Sequence, residues 1–256
     1  MSKIYHQFAS VYDRMGADHH SLRMCDYTLE LFKKFRIRGK QGLEICCGTG
    51  SALKYFVDHG YAMTGIDQSP HMLAEARKKT GKSARLIRAT LPKLKIADPE
   101  TRKPYQADFA ISFYDSLNYL LSAKDLQTTF TQIGRHLRPG GWLIFDMNTP
   151  NALKTIWGNN VWGGSLDDLA WIFRHSYDEA NILATVRLTF FERHGRVWHR
   201  FDEAHTERAY TLPHLRKMLR ASGFSVKAIY RCYTVDRAEE KTNRICVVAK
   251  KQKDVG

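Results

Sequence analysis

The first 150 residues alternate short apolar runs with stretches whose apolar positions recur at helical spacing, the pattern of a parallel sheet covered by helices. The runs predict strands over 42–47, 61–66, 84–88, 108–113 and 142–147, each bounded by Gly, Asp or other polar residues. Helical spacing predicts helices over 51–59, 70–79 and 123–137, the second opening on Pro70 and the third aligning Leu126, Phe130, Ile133 and Leu137 on one face. Pro139-Gly140-Gly141 is expected to end that third helix and turn the chain into the next strand. From about residue 168 the period drops to two, over 170–177, 182–193 and 196–208, with polar turns between them, which predicts antiparallel hairpins. A helix over 213–222, stopped by Gly223, and strands over 224–234 and 245–249 then resume the first pattern. The whole reads as an α/β fold: a Rossmann-like, mostly parallel seven-stranded sheet with helices on both faces. Residues 149–210 form a small inserted antiparallel sheet between the main-domain segments 1–148 and 211–256, expected to pack on the carboxyl edge of the main sheet, where such folds bind ligands.

The sharpest local signal is Leu43-Glu44-Ile45-Cys46-Cys47-Gly48-Thr49-Gly50-Ser51, a strand running into a glycine turn that opens a helix. Glycines at 48 and 50 allow a tight bend and a close approach of backbone to ligand. The dinucleotide fingerprint requires a third glycine where this chain has Leu53, and no Gly-Lys-Ser/Thr follows, so neither a dinucleotide cradle nor a P-loop is present. The turn suits a nucleoside. Asp67 closes the second strand, where a carboxylate can accept hydrogen bonds from both ribose hydroxyls, or else cap the helix entered at Ser69-Pro70. Glu44, inside the first strand, is a costly buried acid unless it holds backbone amides or a ligand amino group.

Composition changes this picture little. With 256 residues, 43% hydrophobic and 26% charged, the chain is ordinary for one large globular domain. Its formal charge is +14, of which +10 falls between residues 33 and 103, so an acidic partner has to be weighed. The amino-terminal stretch lacks the apolar core of a secretory signal and no window reaches the length of a spanning helix, so a soluble, cytoplasmic protein without a membrane partner is expected. Five cysteines, odd in number and without a CxxC pair, argue against a disulfide framework or a zinc ribbon. His19-His20 has no third ligand at convincing spacing, so no metal is expected.

Several segments together resemble the class I S-adenosylmethionine-dependent methyltransferases, in the small-molecule branch that includes glycine- and amino-sugar-type N-methyltransferases. They are Phe8 to Asp13, Leu43 to Gly50, Gly60 to Ser69, Met72 to Arg77, Asp115 to Leu120, Leu137 to Gly141, and the end of the hairpins at Phe201 to His205 and Arg208 to Tyr210. The likeness spans nearly the whole chain. It implies S-adenosylmethionine as cofactor, held by Glu44, Cys46, Gly48 and Gly50 at its methionine end, by Asp67 at the ribose, and by Gln68, Met72, Thr90, Leu91 and Phe113 around the remainder. One position departs from the pattern. Members usually place an Asp after the third strand to accept the adenine amino group, where this chain offers Thr90, whose hydroxyl accepts less strongly than a carboxylate. The stretch Met15 to Leu22 also lacks the Tyr-and-Trp pattern of relatives, so no relative's acceptor transfers.

The methyl of a sulfonium is already activated, so the protein's task is mostly placement, with a base for an acceptor that must lose a proton. Candidate catalytic residues are Tyr12 on the amino-terminal helix and Glu203 with His205, which period two places on one strand face. If that face turns inward they form an acid–base pair; if outward, they are solvated. Candidate substrate contacts are Tyr114, Asn118, Tyr119 and Arg208. Three functions are compatible with the residues: methylation of a small molecule at nitrogen, methylation of RNA through the basic 33–103 region, and non-catalytic cofactor sensing.

Overall fold

The computed structural model describes residues 4–252. Seven strands form the main sheet: β1 (Gln41–Ile45), β2 (Ala62–Asp67), β3 (Ala84–Arg88), β4 (Ala107–Ser112), β5 (Leu137–Asn148), β10 (Phe224–Arg231) and β11 (Arg244–Lys251). Their order is β10-β11-β5-β4-β1-β2-β3. The first five run parallel, and β11 is antiparallel to both neighbours. Winding therefore proceeds outward in one direction from β1 through β2 to β3 and in the other from β4 to β5. The reversal opens a crevice at the carboxyl ends of β1 and β4, the place where sheets of this kind bind ligands.

Strand alternation sends two sets of side chains to opposite faces. Leu43, Ile45, Ala110, Leu143 and Phe145 face one cluster with Phe130 and Leu219, while Phe109, Ile111 and Ile144 face another with Phe32 and Phe56. Helices α2 (His19–Phe35), α3 (Ser51–Asp58), α4 (Pro70–Thr80), α5 (Ala123–Arg135) and α7 (Leu212–Ala221) cover these faces. Helix α4 begins as its sequence suggests, with Pro70 in the first turn and the Ser69 hydroxyl accepting from the Met72 amide.

Several boundaries differ from the sequence pattern. Strand β1 stops at Ile45 because Cys46 turns left-handed (φ 59°), as do Gly48 and Gly50. Helix α5 stops at Arg135, two residues early, with His136 as its cap, its amide donating to the Ile133 and Gly134 carbonyls. Leu137 then joins β5, and Pro139-Gly140-Gly141 lies inside that strand beside a register shift between Ala107 and Phe109.

Between β5 and α7 the chain makes a short α6 (Pro150–Ala152), one π-helical turn over Leu153–Trp157, and a four-stranded antiparallel sheet in the order β6-β7-β8-β9. Strands β7 (Leu169–Asp178), β8 (Leu183–His194) and β9 (Val197–Arg208) match the period-two runs, whereas β6 (Val161–Leu166) is an addition to them. Its Gly163-Gly164 centre hides it from propensity, yet Gly164 is needed there: a Cβ would meet the Trp171 ring at 2.4 Å. The short helix α1 (Phe8–Val11) packs Phe8 and Val11 on this sheet against Leu188, Phe190 and Phe201. The end of β9 docks at the carboxyl edge of the main sheet, where Asn148 and the Asn118 amide meet Glu207 and the Arg208 carbonyl.

Candidate active site

The crevice at the strand ends is a cleft lined by Glu44, Cys46, Gly48, Asp67, Gln68, Met72, Phe113 and Tyr114, roofed by Tyr5, Tyr12 and Asp18. Asp67 organises its floor. One carboxylate oxygen accepts from the Gly48 amide (3.0 Å) and the other from the Ser69 amide (2.8 Å), tying the glycine turn to the entry of α4. Burial raises its pKa, while the amides of Ser69, Gly48 and Gln68 pull it back. The helix cap itself is Ser69, so Asp67 holds two amides and still borders the cleft.

Glu44 is 3% exposed, and its Oε2 has no hydrogen-bond partner among the described residues. Burial and the nearby Asp67 push its pKa up, against the Leu53 amide and Lys79. An orphaned carboxylate oxygen in a cleft wall is costly without a donor from a ligand, and an amino acid's ammonium is such a donor. The two glycines have different work. A Cβ at Gly48 meets nothing within 4 Å, so the position borders open cleft, whereas a Cβ at Gly50 would come within 2.9 Å of the Ala76 Cβ. Gly50 serves helix packing and does not line the cleft. Leu91 lines a small side cavity with Cys46, Asp67, Gln68, Ser116 and Tyr119. Thr90 is exposed and lines neither space.

Two acids that the sequence reading did not single out hold the roof. Asp13 accepts from the Thr49 hydroxyl (2.7 Å) and pairs with Lys79 (2.7 Å); Asp18 accepts from the Ser51 hydroxyl (2.7 Å). Nothing in their spacing marked them, because their partners lie on the far side of a glycine turn.

A second cavity of about 460 Å³ adjoins the first and shares Tyr5, Tyr12, Tyr114 and Tyr119 with it. Trp157, Trp162, Phe173, Val186 and Leu188 form its apolar wall; Asp115, Asn148, His205, Glu207 and Arg244 form its polar end. From Phe201 onward the odd-numbered face of β9 turns inward, and Glu203 and His205 are together on it. The His205 Nε2 lies 3.0 Å from Glu203 and its Nδ1 2.8 Å from the Tyr119 hydroxyl, which in turn meets the Tyr5 hydroxyl at 2.7 Å. Glu203 also accepts the amides of Tyr5, His6, Gln7 and Phe8. Burial alone raises the Glu203 pKa, but His205 and those amides outweigh it and hold the carboxylate below its ordinary range. Glu203 is thus an anion saturated by donors, which orients the imidazole and does not itself face the cavity. Burial raises the phenols of Tyr5, Tyr12 and Tyr119 well above their usual value, so they act as hydroxyls and not as phenolates.

Two expected substrate contacts have other tasks. Asn118 is fully buried, its amide donating to the carbonyls of Asn148 and Arg208 and accepting from the Asn148 amide, so no polar atom remains for a ligand. Arg208 donates to the Leu121 carbonyl and lies outside both cavities. Tyr114 and Tyr119 do line them. Glu207, next on the inward face of β9, was open to the same period-two argument that selected Glu203 and His205.

Comparison with known proteins agrees with this geometry. A family model described as a methyltransferase domain matches residues 43–141, the segment from β1 into β5. A putative methyltransferase of Bacillus subtilis (strain 168), YqeM, is 28% identical over 98% of this chain and 99% of its own. The crystal structure of an S-adenosylmethionine-dependent methyltransferase from Clostridium acetobutylicum ATCC 824 superposes with a TM-score of 0.83 at 27% identity, covering 97% of this chain and 99% of that one. The chain is a class I S-adenosylmethionine-dependent methyltransferase. Its cofactor is S-adenosylmethionine, and the orphaned Glu44 oxygen and open space at Gly48 fit that molecule. Over a shorter stretch, 41% of this chain and 40% of the relative, a dTDP-3-amino-3,4,6-trideoxy-alpha-D-glucopyranose N,N-dimethyltransferase of Streptomyces venezuelae is 30% identical. No helix among the described residues is long and apolar enough to cross a membrane.

Proposed function

We propose that this methyltransferase acts on a small molecule, at nitrogen, inside the cavity bounded by α1, the inserted sheet and the carboxyl edge of the main sheet. The observation that carries the reading is the common wall: four tyrosines border both the cofactor cleft and a partly aromatic cavity of the size that takes one small ligand. The partial likeness to an amino-sugar N,N-dimethyltransferase supports the choice of nitrogen.

S-adenosylmethionine supplies an electrophilic methyl on a sulfonium sulfur. Glu44 would hold its amino group, Asp67 its ribose, with Gln68, Met72, Leu91 and Phe113 around the base. The remaining work belongs to the chain. Tyr5, Tyr12, Tyr114 and Tyr119 confine the acceptor between the two spaces, excluding water from its approach. An amine must shed a proton before it can attack. Because Glu203 is anionic, the His205 Nε2–H donates to it and leaves Nδ1 to accept from Tyr119. A proton leaving the acceptor can then pass through Tyr5 and Tyr119 to His205, where Glu203 stabilises the resulting imidazolium. Tyr12 borders both spaces and serves as a positioning wall.

The RNA reading is not favoured. Lys33, Arg36 and Arg38 border a surface groove before β1, at the amino-terminal edge of the sheet and away from the glycine turn. The test is incubation of purified enzyme and labelled methyl donor with cell extract, followed by size separation and mass spectrometry. The reading expects label in a low-molecular-weight product on nitrogen; label confined to RNA or protein overturns it.

A further inference from the structure

The polar end of the second cavity carries more acid than base. Asp115, Asp146 and Glu207 are all buried around Arg244. Asp146 is fully engaged, accepting the Tyr114 amide (2.7 Å), the Asp115 amide and Arg244, with His20 at 3.4 Å. Asp115 accepts from Arg244 (2.8 Å) and from Asn148. Glu207 is left over. It is 2% exposed, its Oε2 accepts one hydrogen bond from the Asn148 amide at 3.0 Å, and its Oε1 takes none from the described residues. Among those residues it has no ion-pair partner, yet it lines the cavity. Arg244 is spent on the two aspartates, so the uncompensated group faces the ligand space.

We propose that Glu207 is the specificity-determining residue for the methyl acceptor, its free carboxylate oxygen receiving an ammonium group, so that the enzyme selects compact amines that enter in protonated form and rejects acidic or uncharged counterparts. This rests on the reading of the cavity as the acceptor site for methylation at nitrogen, and names the group that chooses the substrate. A buried carboxylate with a single neutral donor is costly until a cation pairs with it. The facing aromatic residues Trp157, Trp162 and Phe173 suit the same charge. The polar groups facing Glu207 are Asp115, Tyr114 and Tyr119 after β4, Asp146 and Asn148 at the end of β5, Arg244 on β11, His205 on its own strand, His175 on β7, and Tyr5 and Tyr12 from the amino-terminal segment. Burial and then Asp115 raise the Glu207 pKa well above the usual range, against Asn148 and Arg244. An arriving ammonium gives this carboxylate the cationic partner that the surrounding residues do not.

The test uses the full chain saturated with S-adenosylhomocysteine and skeleton-matched probes differing only in charge: 2-phenylethylamine, 2-phenylethanol and 3-phenylpropionate; glucosamine, glucose and glucuronate; cadaverine, pentanediol and glutarate. Ligand-observed NMR ranks their binding, and calorimetry measures the affinities. The expected result is an amine preference of about tenfold or more in at least one set. Glu207→Gln abolishes that preference while S-adenosylhomocysteine affinity stays unchanged, and Glu207→Asp retains part of it should the glutamine variant fold poorly. Binding of an alcohol or acid in place of the amine, binding of no member, or an amine preference that survives in Glu207→Gln overturns the proposal. The underlying reading fails separately: label from the methyl donor on oxygen or carbon of a bound amine refutes nitrogen methylation but leaves Glu207 its role. Nitrogen methylation with an unchanged KM in Glu207→Gln does the reverse.

Discussion

Asp67 and the two glycines show how single residues divide the labour of the cleft. Replacing Asp67 with alanine removes a charged acceptor from the cleft and frees the Gly48 and Ser69 amides. Hydrogen bonds to a charged group are worth about 1.5–3 kcal/mol, so cofactor affinity measured by calorimetry should fall roughly 10- to 100-fold. Thr90→Ala should leave it within about twofold, because a side chain exposed outside the cleft contributes little. Gly50→Ala forces a Cβ against Ala76 at a positive φ and should cost about 1–3 kcal/mol in denaturant unfolding. Gly48→Ala should cost less stability but more cofactor affinity, since its methyl group occupies cleft space. The glycine turn, Glu44 and Asp67 were legible in the sequence because strand-end position and residue type suffice to place them. Thr90 and Asn118 were misleading for the same reason: position after a strand does not say which way a side chain turns, and Asn118 turns inward to join three backbone segments.

At the level of elements, the Glu203 carboxylate joins residues 5–8 to the inserted sheet, beside the apolar packing of Phe8 and Val11 and the pairing of Arg14 with Glu192 and Asp168. Glu203 gathers four consecutive amides, from Tyr5 to Phe8, in front of a helix too short to be stable alone. Docking lowers the Glu203 pKa, so its contribution is complete above the ordinary glutamate value of about 4.3 and drains away as pH falls through the lower docked value. Hydrogen exchange should therefore show protected amides at residues 5–8 near neutrality, protection lost toward acid pH, and loss at all pH values in Glu203→Ala while β1 to β5 stay protected. Equal protection in that variant would refute the latch. The period-two run disclosed the strand carrying Glu203, His205 and Glu207, but placing His205 and Glu207 at the cavity needed the docking of β9 against the main sheet's carboxyl edge. Strand β6 was hidden because its two glycines carry no strand propensity, and their purpose is visible only once Trp171 lies across them.

At the scale of the whole molecule, Lys33, Arg36 and Arg38 border a groove before β1, while the cavities at the opposite strand ends are lined with carboxylates, phenols and apolar side chains together with Arg244. Transfer RNA binding should accordingly be weak and lose its measurable affinity by physiological salt; affinity that persists there, with a slope reporting several phosphates, would restore an RNA substrate. The architecture was readable from the order of runs along the chain, since strand–helix alternation admits few topologies. The second cavity was not, because its walls come from α1, the inserted sheet and β11, which meet only in three dimensions. The most direct measurement is a crystal structure with S-adenosylhomocysteine. The account predicts its amino group on Glu44, its ribose on Asp67, and its sulfur facing the Tyr5–Tyr119 junction toward the Glu207 cavity. A sulfur directed instead to open solvent or to the basic groove before β1 would contradict it.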